Sequence, residues 1–341
     1  MKKILVLFFA ITLVIAASAQ SNEGLYMTKS LAKESISEVM ARTSGGGISI
    51  TGVDNSDARV EVYITSNKGA QLSKQEIKER LEADYALTVS VAGNKLTATA
   101  EPRNDINWKQ ALTISFTIYV PKNVSTDLHT SGGGIDLANL TGTHEFSTSG
   151  GGLRIKKLSG KTNGKTSGGG ITVIDTKGDI RLYTSGGGID ADNCNGQITL
   201  RTSGGPINMN LLDGTIEAET SGGSVRGRDI KGELRAHTSG GGVTLRGLAC
   251  SIDASTSGGS IEVEIRELGK FVTVSNSGGN IDVEMPGDKG LDLKLRGNKI
   301  RTSNLNNFSG DKDDDRIEGK INGGGVPVSI RTSGNVSLAL R

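Results

Sequence analysis

Thr148-Ser149-Gly150-Gly151-Gly152-Leu153, Thr166-Ser167-Gly168-Gly169-Gly170-Ile171 and Thr184-Ser185-Gly186-Gly187-Gly188-Ile189 are three copies of one motif, 18 residues apart. The pair Thr-Ser followed by Gly-Gly also begins at Thr130, Thr202, Thr220, Thr238 and Thr256, always in the same register. Asn276-Ser277-Gly278-Gly279 continues the series after a two-residue insertion. Outlying copies stand at Thr43-Ser44-Gly45-Gly46-Gly47 and Thr332-Ser333-Gly334. A fixed period of this length is the signature of a stacked repeat, in which no unit can bury its apolar face alone.

With the threonine as position 1, position 6 reads Ile135, Leu153, Ile171, Ile189, Ile207, Val225, Val243 and Ile261. Position 8 is mostly apolar, position 11 is apolar in nearly every copy, and positions 15 and 17 alternate as in Ile198/Leu200 and Ile216/Ala218. Each coil thus holds two period-2 segments, one over positions 5 to 9 and one from position 14 into the next threonine. Alternation bounded by glycine is a strand signature. Two strands per coil stack as parallel ladders roughly 4.8 Å apart. The predicted fold is therefore an all-β parallel β-solenoid, right-handed by the general chirality of parallel connections. The glycines at positions 3 to 5 and at 13 are expected to supply corners that need positive φ or close backbone approach.

The alternation turns each motif threonine inward, where its hydroxyl can bond corner backbone, and each following serine outward. Position 16 runs Glu217, Arg235, Asp253, and position 18 runs Arg201, Glu219, His237. Stacked neighbours face each other, so alternating sign supports the register. Position 9 breaks this rule with Arg228 beside Arg246 and Glu264 beside Glu284, pairs expected to be solvated. An ice-binding array would need a second outward threonine row, and position 18 lacks one.

Outward from the repeat, Val39, Ala41 and Thr43 with Ile48, Ile50 and Val53 fit an isolated first coil. Ser73-Lys74-Gln75-Glu76 is a capping box and predicts one helix near 74–85. Residues 20–125 are expected to form that first coil and an N-terminal cap, and 126–341 the solenoid. Within the latter, 303–316 is polar and expected to be a loop, followed by closing strands.

Met1-Lys2-Lys3, the apolar run Ile4–Ala16 and Ala17-Ser18-Ala19 describe a signal peptide over 1–19. Its removal leaves 37 basic against 37 acidic residues. That balance gives no electrostatic footprint for nucleic acid, and no later stretch is apolar enough for an integral membrane segment. The expected location is periplasmic, outer-surface or secreted.

No cofactor is expected. Asp311, Asp313 and Asp315 have the spacing of a calcium loop, but Arg316 and Asn322 stand where that loop needs Gly and Glu. They are the weak metal candidates. Cys194 and Cys250 lie three coils apart, roughly 14 Å by ladder spacing, so no disulfide is expected. His144 takes an inward position. The repeat spacing suggests no Ser beside a His and an acid, and Trp108 is the sole Trp, so no enzyme is expected.

The chain resembles a large family of exported bacterial proteins named putative adhesins, a domain of unknown function. The likeness rests on Thr43-Ser44-Gly45-Gly46-Gly47-Ile48, Val120-Pro121-Lys122, the Thr-Ser-Gly-Gly-Gly series and Gly323-Gly324-Gly325-Val326. It implies a binding scaffold that meets a protein or glycan ligand of the envelope or surface along an extended face, and it brings no site residues. The outward serines and the charged rows at positions 7, 9, 16 and 18 are the candidate surface. A structural protein polymerising end to end is the alternative, and a polysaccharide-active β-helix enzyme the third.

Overall fold

The computed structural model describes residues 24–67, 72–103 and 111–341; the expected signal peptide over 1–19 and Trp108 lie outside them. Among the described residues there are 29 strands and one α-helix. Most strands are parallel, and the chain is a β-solenoid. Each regular coil has a short strand, as at Ile135–Ala138, and a long one, as at Thr141–Thr148. The short strands pair only with short strands and the long with long. Through the regular coils the pairing holds the 18-residue register without a slip. Leu153 pairs with Ile171 in the short ladder, and Thr148 with Thr166 in the long one. Positions 6, 8, 11, 15, 17 and 1 point inward, and their side chains form one continuous buried column.

The corner glycines serve the two expected roles separately, close approach at positions 3 to 5 and positive φ at position 13. The glycines of the Thr-Ser-Gly-Gly-Gly corner do not take positive φ. Glycine is required there by close approach, since a Cβ on Gly187 would stand 2.2 Å from the Gly169 carbonyl oxygen. Positive φ falls also at position 10, which the repeat pattern does not single out, on Asn139, Lys157, Asp175, Asn193, Leu211 and Asp229, at 50 to 59°. Asn and Asp tolerate that region best, which explains four of the six. The next coil places Gly247 at the same position, with φ 68°. The glycine at position 13 lies just inside the long strand with φ between 95 and 155°. Cys250 takes that place in the coil of Gly247, and its φ is not positive.

Both ends of the stack are interleaved. Glu38–Thr43 lies between Ser125–Thr130 and Lys95–Pro102, and Ile48–Val53 lies between Ile135–Ala138 and Leu112–Pro121. The first coil in sequence is therefore covered by a later one. At the other end Val326–Thr332 inserts between the strand reaching Asn276 and Leu291–Arg296. Asn335–Leu340 likewise inserts between Ile281–Met285 and Lys299–Thr302. Antiparallel strands finish the stack: Tyr85–Ala92, Arg59–Ser66 and Leu25–Ser30 at one end, Arg316–Ile321 and Phe308–Lys312 at the other.

The helix spans Lys74–Asp84 and begins at the expected capping box, with Ser73 and Glu76 bonding reciprocally. Ile77 and Leu81 are buried on its inner face. The expected loop at 303–316 is corrected in part: Phe308–Lys312 is a strand, paired antiparallel with Arg316–Ile321. Its residues are nearly all exposed, so an edge strand there carries no apolar alternation by which a sequence could announce it.

Candidate functional site: the Thr-Ser face

Positions 1, 2 and 18 meet where the long strand runs into the glycine corner. From Thr148 to Thr256 each motif threonine is fixed by at least two backbone partners, while Thr43 and Thr130 donate to one carbonyl each. Thr202 Oγ1 donates to the Gly187 carbonyl at 2.7 Å and accepts from the Gly205 N–H at 3.4 Å. Thr148, Thr166, Thr184, Thr220, Thr238 and Thr256 repeat the pattern. Asn276, which replaces the threonine, donates its amide to the Gly259 carbonyl at 2.7 Å and so substitutes for the hydroxyl. The threonine row is buried and structural.

The serines beside it differ. Ser149, Ser167, Ser185, Ser203 and Ser221 are exposed, and among the described residues their hydroxyls have no intramolecular partner. They form one wall of a groove of about 610 Å³ that crosses five coils. The other wall is position 18: Ser147, Lys165, Tyr183, Arg201 and Glu219. Lys165 Nζ stands 5.7 Å from the Tyr183 ring centroid. Arg201 is held by Glu217 at 2.7 Å and Glu219 at 3.4 Å. Its guanidinium pKa is raised, first by the hydrogen bond to Glu217.

At the end of the groove Ser147 joins two further groups, His129 in its own row and Asp127, two residues before His129. His129 Nδ1 and Ser147 Oγ are 2.7 Å apart, and His129 Nε2 and Asp127 Oδ1 are 2.9 Å apart. Arg42 Nη2 lies 3.7 Å from the other oxygen of Asp127. The expectation that no Ser would lie beside a His and an acid is thereby corrected. The signal was present in the repeat: residues 18 apart stack, and residues two apart on a strand share a face. His129 with Ser147 satisfies the first rule and Asp127 with His129 the second. His237 Nδ1 and Ser255 Oγ, 2.6 Å apart, repeat the pair without an acid within ion-pair distance among the described residues.

Other expected candidates separate. Asp311, Asp313 and Asp315 lie exposed around the hairpin turn, where the Asp313 N–H donates to the Arg316 carbonyl at 2.8 Å. Among the described residues no three His, Cys, Asp or Glu side chains gather as metal ligands. Glu264 and Glu284 are neighbours as expected, but Arg341 bridges them at 3.4 and 2.8 Å, so solvent is not their only screen. Cys194 and Cys250 are free and buried, and burial pushes their thiols up to about 11 and about 12.

His144 is fully buried, 3.1 Å from the Thr126 hydroxyl through Nδ1. Its Nε2 and the Thr162 hydroxyl find no partner. Desolvation lowers the imidazole pKa to about 4.

No helix among the described residues is long and apolar enough to cross a membrane. No family model matches the chain, and neither does any curated protein. Two solved structures align with it. One, a putative cell adhesion protein from Clostridium sporogenes, is 9% identical with a TM-score of 0.20, over 92% of this chain and 98% of that one. The other, a putative adhesin from Bacteroides fragilis, is 13% identical with a TM-score of 0.24, over 92% and 96%. Superpositions this loose carry no argument about what the chain does.

Proposed function

We propose that this chain is an exported envelope or surface protein that binds an extended polar ligand, a glycan strand, along the Thr-Ser groove. The observation that carries the proposal is the row of exposed, unpartnered serine hydroxyls facing a wall with one aromatic, the half-buried Tyr183. A sugar chain offers hydroxyls at short regular intervals, and a serine recurs along the groove every roughly 4.8 Å. An aromatic ring supplies an apolar face with a polar tip, suited to a sugar ring whose edge is wet. Lys165 and Arg201 flank that ring in adjacent coils and add cationic contacts. The export signal rests on residues 1–19, and the adhesin-type role on the resemblance carried by the repeat.

A polysaccharide panel read by surface plasmon resonance tests the proposal, with Tyr183→Ala and the triple change Ser167→Val, Ser185→Val and Ser203→Val. Binding to at least one polysaccharide is expected, weakened roughly tenfold by either variant, which corresponds to about 1.4 kcal/mol. No binding across the panel, or undiminished binding by both variants, would refute it. Filaments in light scattering would favour the end-to-end polymer instead.

A further inference from the structure

We propose that Ser147, His129 and Asp127 form a nucleophilic triad that cleaves carboxylic esters brought to the end of the groove. A carboxylate can only accept, so the bond from His129 Nε2 to Asp127 places the imidazole proton on Nε2. That leaves the Nδ1 lone pair to accept from the Ser147 hydroxyl at 2.7 Å. Nucleophile, base and orienting acid thus stand at the separations such chemistry requires. On its other side Ser147 is in register with Lys165, and both line the groove. Lys165, the in-register neighbour of Ser147, brings a cation to the adjacent coil for an oxyanion forming at Ser147, where the strands themselves are paired in parallel ladders on both sides.

The chemistry follows from these positions. The Ser147 oxygen bonds the ester carbonyl carbon while its proton passes to His129 Nδ1, and the carbonyl π pair moves to oxygen. Collapse expels the alcohol, which takes the proton from His129 and leaves an acyl-Ser147. Water attacks next, gives its proton to His129, and the freed carboxylic acid departs as Ser147 recovers its hydrogen. Ser147 lies along an open groove, and among the described residues its strand is paired on both sides, with His129 and with Lys165 in register. That openness favours esters, whose alkoxide leaves readily, over peptide amides. The specific ester, an O-acyl group on a glycan, rests on the proposed groove function; the triad itself does not.

The test is hydrolysis of 4-nitrophenyl acetate and labelling by a fluorophosphonate, neither of which needs the groove to bind a glycan. Hydrolysis above the buffer rate and a single label mapped to Ser147 are expected. Ser147→Ala should abolish the label, and His129→Gln should slow hydrolysis on the order of 100-fold. Asp127 is a positioning residue, so Asp127→Asn should move the inflection of the pH–rate profile downward as well as lower the rate. Ser255→Ala, at the pair without an acid, should change nothing. Label scattered over the exposed serines, absent label, equal rates in Ser147→Ala, or an unmoved profile in Asp127→Asn would each overturn the proposal. All these side chains face outward, and an unchanged thermal melt shows that a lost rate is not lost folding.

Discussion

From Thr126 to Gly164 the inward rows at positions 15 and 17 carry Thr126, His144, Thr162 and Gly164 alongside Leu128 and Phe146. From Ile180 to Ala254 the same rows carry Ile180, Ile198, Ile216, Leu234 and Ile252 beside Leu200 and Ala218. The backbone register is identical in both regions. In the first, two polar atoms of the inward rows, His144 Nε2 and Thr162 Oγ1, lack partners, and volume is shared between coils: a Cβ on Gly164 would meet the Phe146 ring at 2.4 Å. The second is uniformly aliphatic. The lesson is that ladder and corner dictate this fold, while the core rows need only fill it.

The severest way to break that comparison is at the corner. Gly187→Ala forces a Cβ to 2.2 Å from a carbonyl that the stack holds rigidly. Loss of more than about 4 kcal/mol, or no soluble protein, is expected in chemical denaturation. Gly186→Ala, where the nearest atom is 3.3 Å away, should be milder. If the two behave alike, the corner is not the determinant.

The polar core sharpens the contrast through pH. His144 titrates near 4 in the folded chain and near 6.5 when unfolded. Below 6.5 the unfolded chain binds a proton that the folded chain refuses. Stability is therefore full above that pH and falls as pH drops to about 4, by about 3 kcal/mol in all. His144→Val should flatten this part of the stability–pH curve, as measured by urea unfolding at several pH values.

The next effect lies between adjacent residues of one motif. Thr202→Val removes a hydroxyl with two backbone partners and should destabilise by about 1–3 kcal/mol. Ser203→Ala, one residue on and exposed, should fall within about 0.5 kcal/mol of zero. Equal losses would make the serine row structural and remove the basis for a binding groove.

The smallest change should be a gain. Leu211 is 52% exposed and sits at φ 53° where the other coils place Asn, Asp, Lys or Gly. Leu211→Asn should raise the melting temperature, by roughly 1 kcal/mol of relieved backbone strain.

The repeat made most of the fold legible, because every inward row and the threonine's role follow from an 18-residue interval and a period of 2. The positive φ at position 10 was not legible, since Lys157 and Leu211 share it with Asn and Asp. Interleaving was hidden for a different reason: spacing reports which residues stack within a run, not which run covers which. Nothing local in Val328 and Ile330 says that they pair on both sides. The triad was legible in principle, as its two spacings are those of the fold itself. It is hard to see because Asp127 and His129 precede the first regular coil.

Those interleaved ends bear on how the rod meets mechanical load. An outermost coil peels away by opening one ladder on each face, one bond at a time. Residues 38–53 and 326–340 each lie between two neighbours on both faces. A pull transmitted through either segment must shear ladders on both sides together, so tension along the chain meets a clasp where a simple stack would offer a loose thread.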